Sequence, residues 1–209
     1  MTGLLEHVFS VEEWDEMGQT GVFGEDSRVE LLDGKVVDMN PIGDRHASCV
    51  SRLADMCFRA VSGQAIVSVQ NPIRLSSYSE PQPDLALLRY REDFYRNGKP
   101  GPSDVLLVVE VADTSLERDR AKGLFYARAD ISQYWIVDLA EERVIEFTDP
   151  SEDGYRNERA ATGDDLLVAN VLPSENNVAS SATTPAPAKA PEPKSARPLI
   201  SLTASQILA

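Results

Sequence analysis

Glu110 stands in Val105–Val111 (VLLVVEV), a run that is apolar almost without alternation. Such a run suits a central strand covered on both faces. A carboxylate there is costly unless a cation or a basic side chain stands beside it, because burial penalises the charged form. The plainer reading is that Glu110 emerges at the strand end and caps a loop. Asp84 is a second acid, opening the segment Asp84–Leu88 after the stiff Pro81-Gln82-Pro83. Alone, Pro-Asp also fits ordinary turn chemistry. Two carboxylates at adjacent strand ends, completed by backbone and water oxygens, form the donor set of a hard cation such as Mg²⁺. Lys122 belongs to LERDRAKGLFYARA, where Asp119, Lys122, Tyr126 and Ala129 share one helical face. On a helix following the Glu110 strand, that stripe can be aimed back at the strand's end. Without Glu110 upstream, a solvated face with a salt bridge worth under about 1 kcal/mol is the better reading.

The elements that must position these residues follow from pattern and punctuation. Ser10–Met17 has a Ser N-cap and an acidic first turn, predicting a short helix. Arg28–Leu32 and Lys35–Met39 flank Asp33-Gly34, a two-residue hairpin signal. Asp44–Ala60 reads as a helix with its apolar stripe at Val50, Leu53, Ala54 and Cys57. His46 lies near its start and reads as a buried or capping histidine. Ala65–Val69 and Ile73–Leu75 are predicted strands around Asn71-Pro72, and Asp84–Leu88 is another. Leu116–Ala129 is a predicted helix; Tyr134–Leu139 and Arg143–Phe147 resume strands, with Asp138 a turn residue. The class is therefore α/β (α+β), a mixed central sheet flanked by helices.

Composition changes near Pro173. The stretch 173–197 is rich in Pro, Ala and Ser with few large apolar residues, and is expected to be a flexible linker or insertion. The expected organisation is a domain over 1–172, this linker, and a C-terminal strand and helical turn over 198–209 docking back on the domain.

The 209 residues carry a formal charge of -14, with 42% hydrophobic and 26% charged residues, values of a globular chain. That acidity opposes a broad, non-specific grip on nucleic acid. Against it stand Arg89, Arg91, Arg96 and Lys99, interleaved with Tyr90, Phe94 and Tyr95. Such a pattern can track a nucleic-acid strand, although a solvated excursion with packed aromatics accounts for it better. Cys49 and Cys57 would lie about 12 Å apart on one helix, beyond the roughly 7 Å limit for a disulfide. They read as buried hydrophobes of a reducing compartment. No membrane span or secretory signal is apparent, and the cytoplasm is the expected location.

The strings PQPDLALL, LLVVEVADTS and DRAKGLFYARADISQYWIVDL, in this order, resemble the Uma-two family of endonucleases, long catalogued as a domain of unknown function. It belongs to the PD-(D/E)XK restriction-endonuclease-like superfamily. The resemblance runs from residue 9 to about 172, and PLISLTASQIL is similar to the family's usual ending. It implies a restriction-endonuclease-like fold and Mg²⁺- or Mn²⁺-dependent hydrolysis of DNA. It further implies that Asp84 and Glu110 bind metal, that Glu30 in RVELLDG is an additional upstream acid, and that Lys122 is the catalytic lysine. The superfamily's Glu-x-Lys would place that lysine at 112, where this chain has Ala112. His46, Asp119 and Tyr126 are secondary candidates. By analogy with such folds a homodimer is compatible. The acidic charge and the missing Glu-x-Lys leave a second reading open, a catalytically inactive nuclease-fold module for protein or nucleic-acid interaction.

Overall fold

A computed structural model describes residues 6–24, 27–170 and 198–209. The stretch 173–197, expected to be a linker, lies outside the described residues. Helix α1 (Val11–Gln19) starts in a capping box: the Ser10 hydroxyl accepts the Glu13 amide, and Glu13 accepts the Ser10 amide. Strands β1 (Val29–Leu32) and β2 (Lys35–Asp38) form a separate two-stranded ribbon. Asp33 and Gly34 turn it at φ 50° and 71°, the double left-handed conformation that suits a two-residue hairpin. Helix α2 (Asp44–Val61) follows, with Val50, Leu53, Ala54 and Cys57 buried along one side.

The central sheet has the order β3-β4-β5-β6-β7-β8, made of β3 (Ala65–Val69), β4 (Leu85–Arg89), β5 (Val105–Ala112), β6 (Gln133–Asp138), β7 (Arg143–Ser151) and β8 (Gly154–Ala161). Only β5 and β6 pair in parallel, joined through helix α3 (Leu116–Arg128); every other neighbouring pair is antiparallel. All eight residues of β5 are buried. One core joins α2 to Leu107, Val109 and Val111; the other joins α3 to Val108, Ala112, Tyr134 and Ile136. The sheet is thus flanked by helices on both faces, as the near-continuous apolar strands required.

Strands β9 (Leu166–Asn170) and β10 (Pro198–Thr203) pair antiparallel, and α4 (Ala204–Leu208) follows. Their Leu167, Ile200, Leu202 and Ile207 complete the core on the α2 face. Cys49 and Cys57 are free and buried. Among the described residues no helix is long and apolar enough to cross a membrane.

Three elements depart from expectation, β9 among them, since no strand was expected between Phe147 and the linker. Ile73–Leu75 is not a strand: its amides bond singly to Pro81, Pro100 and Ser79 carbonyls rather than to one partner strand. Its apolarity reflects burial of Ile73 and Leu75 in an irregular plug. Strand β8 was not foreseen. Its sequence GYRNERAA is polar because it forms the sheet edge, where Arg156, Glu158 and Arg159 stand exposed.

Candidate active site

Along β5, Val108 and Ala112 face α3, so Glu110 between them faces α3 as well. Tyr126 donates its hydroxyl to Glu110 Oε1 at 2.8 Å, and Lys122 Nζ stands 2.6 Å from the same oxygen. Lys122 Nζ also reaches Glu30 Oε2 at 2.9 Å, so one ammonium joins the β1 ribbon to the sheet. Glu30 Oε2 additionally accepts the Gln82 amide at 3.1 Å. Glu30, Glu110 and Lys122 are almost wholly buried, at 2%, 4% and 4% exposure. This rules out the solvated-face reading of Lys122.

Asp84 precedes β4 by one residue. The register that pairs Leu85 with Val109 puts it opposite Glu110. Asp84 donates its backbone amide to Glu110 Oε2 at 3.2 Å, while Asp84 Oδ2 accepts the Val111 amide at 2.8 Å. From the first turn of α2, His46 Nε2 lies 2.9 Å from Asp84 Oδ2, and Gln70 Nε2 donates to Oδ1 at 3.2 Å. His46 Nδ1 is buried and has no partner among the described residues. Asp119, on α3, accepts the Ser115 hydroxyl at 2.6 Å. Glu30, His46, Asp84, Glu110, Asp119 and Lys122 all line one cleft of about 280 Å³.

A family profile described as "Uma2: Putative restriction endonuclease" matches residues 11–181. The chain belongs to the Uma2 family. The crystal structure of "a putative nuclease belonging to DUF820" from Anabaena variabilis ATCC 29413 superposes with a TM-score of 0.59 at 14% identity. The match covers 78% of this chain and 89% of that one, and shows a shared fold. No curated protein sequence matches.

Position 112 of this Uma2 chain holds a buried alanine in the α3-facing core, and the ammonium arrives instead from Lys122 on α3. Burial pushes the Glu110 carboxyl upward; Lys122 pulls it back, and Asp84 and Asp119 add to the rise. For Lys122, burial opposes its charge, but Glu110 and Glu30 outweigh it and hold the ammonium above its ordinary range. Burial likewise opposes the charge of Asp84, yet His46, the Val111 amide and Gln70 keep its carboxyl below the usual range. Asp119 is pushed up to about 6, chiefly by burial.

The donors in the cleft suit a hard cation, since Asp84, Glu110 and Glu30 offer carboxylate oxygen. Among the described residues no group of three or more His, Cys, Asp or Glu is arranged to hold an ion by itself.

The structure does not bring Arg89, Arg91, Arg96 and Lys99 to this cleft. Arg89 ends β4, at the opposite end of that strand from Asp84. Arg89 bonds to the Ser103 carbonyl, Arg91 pairs with Asp93 and stacks on Tyr95, and Lys99 pairs with Asp15 and Glu80. Asp138 is buried at the end of β6, where Arg143 and the Glu141 amide bond to it as in a turn. Sequence reasoning missed Gln70 and Gln82 beside the acids. Gln82 was signalled only by its place between the two prolines before Asp84, and Gln70 by nothing local.

Proposed function

We propose that this Uma2 chain is a divalent-metal-dependent endonuclease that hydrolyses DNA phosphodiester bonds, with Mg²⁺ or Mn²⁺ held by Asp84 and Glu110. The observation that carries this reading is Lys122 Nζ lying 2.6 Å from Glu110, in the cleft that Asp84 also lines. Membership in a family described as restriction endonucleases supports it.

In the proposed reaction a water oxygen bonds to phosphorus, one P–O ester bond breaks, and a proton passes to the departing alkoxide. When bound, a divalent cation supplies Lewis-acid polarisation of a phosphoryl oxygen. Lys122 stays protonated, because its neighbours hold it above its ordinary range. It therefore donates to the attacking water or a phosphoryl oxygen. Glu30 fixes Lys122 from the ribbon side, and Tyr126 fixes the Glu110 oxygen that Lys122 touches. His46 and Gln70 orient Asp84.

The test is plasmid nicking by the purified protein in Mg²⁺, Mn²⁺ and EDTA, alongside Asp84→Ala and Glu110→Ala. Metal-dependent nicking that both substitutions remove is the expected result. Nicking that survives both identifies a contaminant. No nicking under any condition favours a module that keeps the fold and binds without turnover.

A further inference from the structure

Two arginines at the mouth of the cleft have no part in the proposed chemistry. Arg28 precedes β1, and Arg118 lies in the first turn of α3. Arg28 Nη1 donates to the Asn40 carbonyl at 2.9 Å. Arg118 donates to the Asp38 carbonyl at 2.8 Å and to Asn40 Oδ1 at 2.6 Å. Both are half-buried and both line the cleft. Neither makes an ion pair among the described residues, whereas Asp113, which also lines the cleft, pairs with Arg45 at 3.1 Å.

We propose that Arg28 and Arg118, held together by Asn40, form a clamp for a backbone phosphate of DNA next to the scissile one. The proposal rests on the nuclease reading of the same cleft. Two guanidiniums anchored on one neutral residue repel each other, and their neutral acceptors give neither of them a direct ion pair among the described residues. An anion between them relieves that repulsion. The planar fork of a guanidinium matches two phosphate oxygens, and the charge-assisted bonds so formed are about twice as strong as neutral ones. The acids deeper in the cleft repel a phosphodiester, and a chain of net charge -14 offers little long-range attraction. Short-range cations at the mouth then decide where the strand can rest. Of the five N–H donors on each guanidinium, Arg28 commits one and Arg118 two to partners among the described residues, and the others can meet such a ligand.

The test uses the full-length protein and a fluorescein-labelled DNA duplex, with anisotropy read in Ca²⁺ over a salt series. Arg28→Gln and Arg118→Gln should each weaken binding about ten-fold and flatten the slope of log affinity against log salt by about one unit. Arg118→Lys should keep the slope and lose part of the affinity. Matching thermal melts show that the variants fold. A merely structural role, in which Arg118 only braces the loop at Asn40, would lower affinity with the slope unchanged, and that result overturns the clamp. So does wild-type protein without measurable affinity, or variants that bind as wild type does. Plasmid nicking, scored in parallel, keeps the two ideas apart. Nicking with unimpaired arginine variants sinks the clamp alone; arginine-dependent binding with no nicking sinks the hydrolase alone.

Discussion

Asp84 and Glu110 are bonded to each other's strands: Glu110 accepts the Asp84 amide at 3.2 Å, and Asp84 accepts the amide of Val111, the next residue after Glu110, at 2.8 Å. Each acid is therefore a candidate metal ligand and also the acceptor that satisfies a buried backbone donor. Both oxygens of Glu110 are used, one by the Asp84 amide and the other by Tyr126 and Lys122. Glu110→Gln retains one of these two acceptors, so it should lose metal-dependent nicking and destabilise the protein less than Glu110→Ala does. Glu110→Ala strands the Asp84 amide and the Tyr126 hydroxyl, which should cost about 1–3 kcal/mol for each donor. Urea denaturation of the two variants checks the difference, and equal midpoints would contradict the hydrogen-bond account.

Lys122 compensates two buried carboxylates at once. Lys122→Met leaves both Glu30 and Glu110 without a cation, and the expected loss is about 3–5 kcal/mol. Adding Glu30→Gln to that variant should recover part of the loss, because one unpaired charge disappears. A double variant no more stable than the single one would show that the pair is not the source of the cost.

The His46–Asp84 contact makes a pH prediction. His46 is held above its ordinary 6.5, first by the hydrogen bond to Asp84, against desolvation. The folded state thus binds the His46 proton more tightly than the unfolded chain does. The resulting stabilisation is complete below 6.5 and disappears as pH rises through the folded value. Asp84 sets the opposite edge: its folded value lies below 3.8, so its contribution is present above 3.8 and is lost as pH falls through the folded value. The melting-temperature gap between wild type and His46→Gln should be wide in mildly acidic buffer and narrow in alkaline buffer. An NMR titration of His46 that returns an unshifted value would refute this.

Gly123 adjoins Lys122 and is buried against Tyr134. A Cβ at this position would lie 3.2 Å from Tyr134 Cε1 and 3.4 Å from Cδ1. The ring cannot easily give: it stacks on Phe147 and Tyr155, and Tyr134 donates its hydroxyl to the Asp119 carbonyl at 2.8 Å. Gly123→Ala should therefore destabilise the protein despite a helix-propensity gain of about 1 kcal/mol. Thermal unfolding decides the sign.

The sequence announced those features whose cause is local. The Asp33-Gly34 turn, the Ser10 cap and the unbroken apolarity of β5 each follow from a few adjacent residues. Glu110 stood out because it breaks that apolarity. Long-range meetings were not legible in the same way. Glu30 and Lys122 are 92 residues apart, and no spacing rule unites them; only the family resemblance drew Glu30 in. The His46 contact with Asp84 was equally hidden, since the α2 pattern marks which residues face the core and not which acid the first turn meets. Strand β8 was missed because edge strands are selected for polarity, which removes the period that identifies a strand. Ile73–Leu75 misled for the converse reason, as apolar residues buried in an irregular segment resemble a strand. The basic run 89–99 kept its charges, but most of them answer to nearby acids and carbonyls.

The pairing of β5 has one last consequence. Its side chains alternate between two separate cores, so a slip of one residue would turn Glu110 toward Leu53 and Trp135, away from Lys122 and Tyr126. A carboxylate without a counterion in that apolar layer would cost enough to reject the slipped arrangement. The acid thereby helps to fix the register of its own strand, and the same burial that sets it beside Lys122 selects the correctly paired sheet.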